Sequence, residues 1–275
     1  MLSIAGSDSG GGAGIQADLK AFAACRVHGM TAVTAITAQN TVGVTAVHQI
    51  PPETIIAQVR AVSGDIGIDA VKIGMLGTVA TVEAVANALD ELPDQTPVVL
   101  DPVMVAESGA ELLAPPARAA LIELLLPRAT VVTPNVQEAR ALLSVHRSVT
   151  RGGDDRDVAA LARAVRELGP KFVVVTGGHR ERAIDVFFDG GAVVELGGER
   201  YPDGAGHGSG CTHSSVLAAR LAWGDPPLTA ARRAKRLASK AVRDGLAELG
   251  SGAGPVDVLG IARRRPAVRQ NPQCQ

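Results

Sequence analysis

Gly204 to Ser215 reads GAGHGSGCTHSS, a glycine run leading through a cysteine into a helical pattern. The first turn of a helix leaves N–H groups unpaired, with the positive end of the dipole behind them. Glycines ahead of that turn let the backbone approach an anion closely. Gly208, Ser209 and Gly210 therefore form a candidate anion hole, suited to charge developing on a transferring phosphoryl group. Cys211 closes it, and can be read as a catalytic group, a metal ligand or a small apolar filler. A zinc site needs three or four ligands on one centre. His207, Cys211 and His213 leave a tight loop in different directions, so zinc is set aside.

Two carboxylates extend the picture. NVQE, Asn135 to Glu138, places Asn and Glu at i and i+3, neighbours on one helical face just after a strand. Asp101 also ends a strand. Mg²⁺ uses one or two carboxylates together with water and phosphate oxygens, which Asp101 and Glu138 would suit. A helix-start carboxylate and a turn aspartate are the plainer readings of the same residues. GAGIQA, Gly12 to Ala17, satisfies G-x-G-x-x-A between a strand and a helix, the dinucleotide fingerprint. That fingerprint wants an acid ~20 residues on to hold a ribose. After Asp18 the next acid is Glu53, which weakens the hydride-transfer reading. Gly-Lys-Ser/Thr occurs nowhere, so a Walker A loop is excluded.

These residues need elements to hold them. Short β-branched apolar runs alternate with longer runs of helical period. LSIA is a strand, and GIQADLKAFAACRVHG a helix closed by Gly29. MTAVTAIT and VTAVHQI are strands, and PETIIAQVRAV a helix with Pro52 in its first turn. DAVKIG precedes a helix with Thr78 as N-cap. PVVLD, TVVTP and KFVVVTG are further strands, AIDVFFDGG and AVVELGG a hairpin turning at Asp189–Gly191, and LTAARRAKRLASKAVRDGLAEL a final helix. Such alternation predicts an α/β fold of three layers, α/β/α, with a mainly parallel central sheet flanked by helices. Residues 1–261 read as a single domain and 262–275 as a basic tail. In such sheets ligands bind beyond the carboxyl ends of the strands. GSDSGGGAG, AQNT, GMLG, DPVMVAESG, TPN and TGGH all follow strands at those places.

Composition narrows the function classes. The chain has 275 residues and a formal net charge of −1, with 2% aromatics. Neither a basic surface nor stacking platforms for nucleic acid are indicated. No apolar run approaches ~20 residues, so no membrane span is expected. Cys25, Cys211 and Cys274 make no disulfide framework, and no basic, apolar leader follows Met1. Both point to the cytoplasm.

Taken in order, AGSDSGGGAGIQADLK, AQNT, KIGML, DPVM, TPNVQE, GGH and HGSGCT resemble the hydroxymethylpyrimidine/phosphomethylpyrimidine kinases of thiamine biosynthesis, within the ribokinase-like superfamily. The likeness runs from about Leu2 to Ile261. It implies ATP-dependent phosphorylation of 4-amino-5-hydroxymethyl-2-methylpyrimidine to its monophosphate and then its diphosphate, with Mg²⁺, in a homodimer. By motif it implies that Gln39 and Asp18 contact the aminopyrimidine, and that Ala13, Met75 and Val103 shape its pocket. A glutamine amide offers both a donor and an acceptor to such a ring. Asp101 and Glu138 would hold Mg²⁺, and Gly208, Ser209 and Gly210 the anion. Cys211 stands where most ribokinase-like enzymes carry a catalytic aspartate. At a helix N-terminus its thiol is expected to be acidified and to serve as general base. Departures from the pattern are Thr176, where many relatives have Lys facing ATP phosphates, Ser209 for Thr and His213 for Leu. Arg180 or Arg182 could replace the missing cation. The rival readings are a pyridoxal or pyridoxine kinase of this fold, and a non-catalytic pyrimidine- or nucleotide-binding regulator.

Overall fold

The computed structural model describes residues 1–107, 109–145, 157–177, 183–202 and 204–261. The expectations for Arg180, Arg182, Cys274 and the 262–275 tail lie outside them. Strands β1 (Leu2–Asp8), β2 (Met30–Gln39), β3 (Val44–Gln49), β4 (Val71–Ile73), β5 (Val98–Leu100), β6 (Val131–Val132), β7 (Phe172–Val175), β8 (Asp185–Phe188) and β9 (Val193–Leu196) form one sheet. Its order is β3-β2-β1-β4-β5-β6-β7-β8-β9. Strands β2 through β7 pair in parallel; β3 at one edge and β8–β9 at the other are antiparallel. The central strands are short and buried on both faces; β5 and β6 are unbroken Val and Leu runs, whereas β4 carries the buried Lys72 between Val71 and Ile73.

Helices α1 (Gly14–Ala24), α2 (Pro52–Asp65), α3 (Val79–Leu89), α4 (Pro115–Leu124), α5 (Val136–Val145), α6 (Val158–Glu167), α7 (Ser209–Ala222) and α8 (Pro227–Arg243) cover the sheet. Two separate cores result. In one, Ile55, Val85, Leu121, Leu142 and Val165 of α2 to α6 pack on one face. In the other, Phe22 of α1, Leu217 of α7 and Ala230, Ala231 and Ala234 of α8 pack on the opposite face. Scarce aromatics are offset by alanine, whose small side chain lets α8 lie close to its neighbours. Thr78 caps α3, accepting from the Thr81 N–H, and Pro52 opens α2. The β8–β9 turn is held by the Asp189 carboxylate, which accepts from the N–H groups of Gly191 and Ala192.

Two helix ends differ from the sequence reading. Helix α1 ends at Ala24, and Arg26 takes a left-handed φ of 60°. Gly29 is therefore no cap. A Cβ there would come within 2.5 Å of Leu19 and 3.0 Å of Phe22, so its role is to let the chain pass under α1 into β2. Helix α8 stops at Arg243, where Asp244 takes the cap position and pairs with Lys240 and Arg243. The residues beyond it turn back, the Leu246 N–H donating to Pro255 O, so that 254–257 can run alongside His207.

Candidate active site

Helix α7 begins on Gly208, whose φ of +81° is left-handed. A Cβ on Gly208 would lie 1.8 Å from Gly12 O, so only glycine lets the two loop backbones touch. The Thr212 N–H already bonds Gly208 O, and the Ser209 N–H turns back to Gly206 O. Gly210 and Cys211 are left as the helix-start donors aimed outward. Of the three residues read as an anion hole, Gly208, Ser209 and Gly210, Ser209 thus has its N–H already engaged.

The loop after β1 is organised by Asp8. Its carboxylate accepts from the N–H groups of Gly10, Gly12 and Ala13 and faces His207 Nε2 at 3.2 Å. Burial alone would raise the Asp8 carboxyl, but His207 and the N–H groups of Ala13 and Gly10 hold it below the usual range. This ties the β1 loop to the α7 loop across 199 positions of sequence.

A cleft of about 510 Å³ opens over the carboxyl ends of β5, β6 and β7 and the amino end of the antiparallel β8. Ala13, Asp101, Val103, Glu138, Thr176, Gly208, Ser209, Gly210 and Cys211 all line it, as the sequence motifs imply. Asp101 follows β5 and accepts from Ser214 Oγ at 2.9 Å. Burial raises its carboxyl, Lys72 opposes and Asp18 adds to the rise. Asn135 and Glu138 form a capping box at the start of α5. The Asn135 N–H donates to Glu138 Oε2 and the Glu138 N–H to Asn135 Oδ1, both at 2.9 Å. Burial and then the charge of Asp101 push the Glu138 carboxyl up to about 8. Asp101 and Glu138 are two hard oxygen donors on one cleft wall, each disfavoured as an anion, a donor set that a hard dication relieves.

Other assigned residues lie elsewhere. Gln39 and Met75 do not line this cleft. The Gln39 N–H and O bond Ser9 Oγ, and its Oε1 accepts from Thr37, pinning the end of β2 to the β1 loop. Met75 is buried, and its carbonyl accepts from Thr34 Oγ1. Asp18 is wholly buried beneath the cleft, and Lys72, Ser3 and Ser215 occupy its two oxygens. Direct contact with a pyrimidine is thereby corrected to a place in the support of the site.

Cys211 also departs from expectation. The helix terminus should acidify its thiol, but burial dominates. With Asp18 and Asp101 adding to it against Lys72 and the Gly14 N–H, the thiol is pushed up to about 12. His213 is buried on the same helix. Burial lowers its imidazole, Asp185 opposes and Lys235 lowers it further. Its Nε2 lies 3.5 Å from Asp185 Oδ2, while His207 faces Asp8, so the two histidines serve different carboxylates.

Sequence reasoning passed over Lys72, Asp185 and Lys235. Asp185 accepts from Lys235 Nζ at 2.8 Å and from the Gly177 N–H at 2.9 Å, at the cleft edge beside Thr176. The available signal was a charge inside an apolar run, as in AVKIG and AIDVFF. A charge at such a position must find a partner when buried.

The family model described as phosphomethylpyrimidine kinase matches residues 8–257. The chain is 49% identical over 259 residues to a hydroxymethylpyrimidine/phosphomethylpyrimidine kinase of Rhizobium meliloti, covering 93% of this chain and 95% of that protein. Among solved structures it is similar to Bacillus subtilis pyridoxal kinase in an ADP complex, with a TM-score of 0.83 at 39% identity over 95% of this chain and 97% of that one. It is also similar to the phosphomethylpyrimidine kinase of Clostridium difficile 630, with a TM-score of 0.75 at 37% identity over 88% and 98%.

Proposed function

The chain belongs to the phosphomethylpyrimidine kinase family, and from that premise we propose how its own residues phosphorylate hydroxymethylpyrimidine and then its monophosphate. The observation that carries the proposal is the convergence of the α7 N–H donors, Cys211, Asp101 and Glu138 on one cleft. Phosphoryl transfer asks little covalent chemistry of a protein; it needs positioning and charge stabilisation. The N–H groups of Gly210 and Cys211 receive the transferring phosphoryl oxygens. The hydroxymethyl oxygen lies against Cys211, with the pyrimidine between Ala13 and Val103. Cys211 accepts the hydroxyl proton only as its thiolate, a minor form because burial raises the thiol; its own proton first leaves to water through the cleft, a loss that the charge of Lys72 favours and burial opposes. ATP enters from the side of Thr176, Asp185 and Lys235, toward a second cavity along α8 that shares Lys235, Ser239, Glu199 and Tyr201 with the cleft. Asp101 and Glu138 would hold Mg²⁺ largely through water, and the ion would supply neutralisation of phosphate charge.

The experiment that tests this reading is turnover of the two alcohols side by side. Hydroxymethylpyrimidine is expected to give monophosphate and then diphosphate, and to be preferred over pyridoxal. Cys211→Ala is expected to lower kcat by about 10²- to 10⁴-fold, the range of general acid–base catalysis, with Cys211→Asp recovering part of it. Near-normal turnover of Cys211→Ala would leave the cysteine only the task of filling the helix start. Preference for pyridoxal would transfer the whole reading to the similar vitamin kinase.

Residues 1–261 are taken as one folding unit, since one sheet takes in every strand from Leu2 to Leu196 and α7 and α8 pack on it. A homodimer is proposed through the β2–β3 edge, where Ile36 and Val47 are 51% and 43% exposed; a monomer by light scattering would reject it. Among the described residues no helix is long and apolar enough to cross a membrane. Free thiols at Cys25 and Cys211 fit a cytoplasmic location, which fractionation would check.

A further inference from the structure

Beneath the cleft lies a charge network in which Lys72 is the centre. Lys72 stands on β4 in the middle of the sheet, fully buried, and does not itself line the cleft. Its Nζ is 2.9 and 3.1 Å from the two Asp18 oxygens and 4.0 Å from Asp101 Oδ2. Asp18 also accepts from Ser3 Oγ at 2.5 Å and Ser215 Oγ at 2.7 Å. Asp101 accepts from Ser214 Oγ at 2.9 Å. Neighbouring residues of α7 thus hang from two different carboxylates, and Lys72 joins those carboxylates from below. Three residues before Ser214 comes Cys211.

A buried ion pair is weak evidence for stability, because desolvation offsets most of its attraction and apolar residues of similar volume often serve the fold as well. Here the pair is not isolated. It connects β1, α1, β4, the end of β5 and α7, and its second carboxylate, Asp101, faces the reacting volume. A fixed cation behind Asp101 sets where that carboxylate points and keeps the first turns of α7 seated over the sheet. We propose that Lys72 is a positioning residue for phosphoryl transfer: bound to Asp18, it fixes Asp101 and, through Ser214 and Ser215, the turn that carries Cys211. The inference rests on the roles given above to Asp101 and Cys211.

Lys72→Met alone strands the buried charge of Asp18 and would unsettle the fold, so the deciding variant is Asp18→Asn/Lys72→Met, which removes both charges. It is expected to melt within a few degrees of the wild type, as neutral replacements of buried pairs often do. Its kcat is expected to fall about 10- to 100-fold, the usual effect of losing an orienting partner behind a site carboxylate, with KM for the pyrimidine changed less than about threefold. A folded double variant that keeps kcat within about threefold of the wild type overturns the proposal, since a purely structural pair has no reason to act on kcat alone. Ser214→Ala/Ser215→Ala keeps both charges and cuts their ties to α7. It is expected to show the same kcat-specific loss, and wild-type kcat there would equally overturn the proposal. Turnover by the wild-type enzyme, measured first, tests the proposed function separately.

Discussion

Gly208→Ala is expected to lose at least about 10²-fold in kcat, the scale of removing a preorganised oxyanion donor, and to melt several degrees lower. Two effects coincide at this residue. Its φ of +81° is strained for any side chain, and the new Cβ would fall 1.8 Å from Gly12 O. The α7 loop and the β1 loop would have to separate. Gly208 O accepts the first helical bond, from the Thr212 N–H, so movement there swings the Gly210 and Cys211 donors away from the cleft. Steady-state kinetics and a thermal melt on one preparation check both parts. A variant with turnover within about threefold of the wild type would remove the anion hole from the mechanism.

Glu138→Gln is expected to change stability and activity in opposite directions. The Glu138 carboxyl is pushed up to about 8 from its ordinary value of 4.5, by burial and then by Asp101. The folded state therefore binds this proton more tightly than the unfolded chain does. Below about pH 4.5 both states are protonated and the group contributes nothing. As pH rises toward 8 the unfolded chain gains from ionising and the folded one does not, so stability falls across that window. Glutamine does not titrate, and it still serves the capping box with Asn135. In metal-free buffer the variant should match the wild type near pH 4.5. It should exceed it above pH 8 by on the order of 2 kcal/mol, allowing for the weaker bonds a neutral amide accepts from Asn135 and Met104. For a chain of this size that is a Tm gain of roughly 4–8 °C. Activity should fall about 10- to 100-fold, with a higher Mg²⁺ requirement. Equal melts at pH 8.5, or a gap that shrinks as pH rises, would contradict the assignment.

How much was legible beforehand divides by the range of the interaction. The glycines of GAGHGSGCTHSS, the Thr78 cap, the Pro52 start and the Asp189–Gly191 turn act within a few residues, and local chemistry places each of them. Parallel strands put every polar loop at one end of the sheet, so the alternating pattern alone brings Ala13, Asp101, Val103, Glu138, Thr176 and Cys211 to a common rim. Helix ends were less legible. The close passage of Gly29 under α1 and the return of 254–257 past His207 decide where α1 and α8 stop, and both involve distant chain.

Sequence by itself determined the layer architecture, the family likeness and those cleft residues that follow strand ends, among them Asp101, Glu138 and Thr176, because periodicity and turn chemistry are local properties. Only the tertiary structure decided what the charges do. Lys72 and Asp18 are 54 positions apart, and their pairing withdraws Asp18 from the ligand and makes it a support. The Cys211 thiol has a helix N-terminus in its favour by sequence, yet in the fold burial, reinforced by Asp18 and Asp101, prevails over the charge of Lys72. A group's charge state follows from everything within several ångströms of it, and folding draws those neighbours from the whole chain.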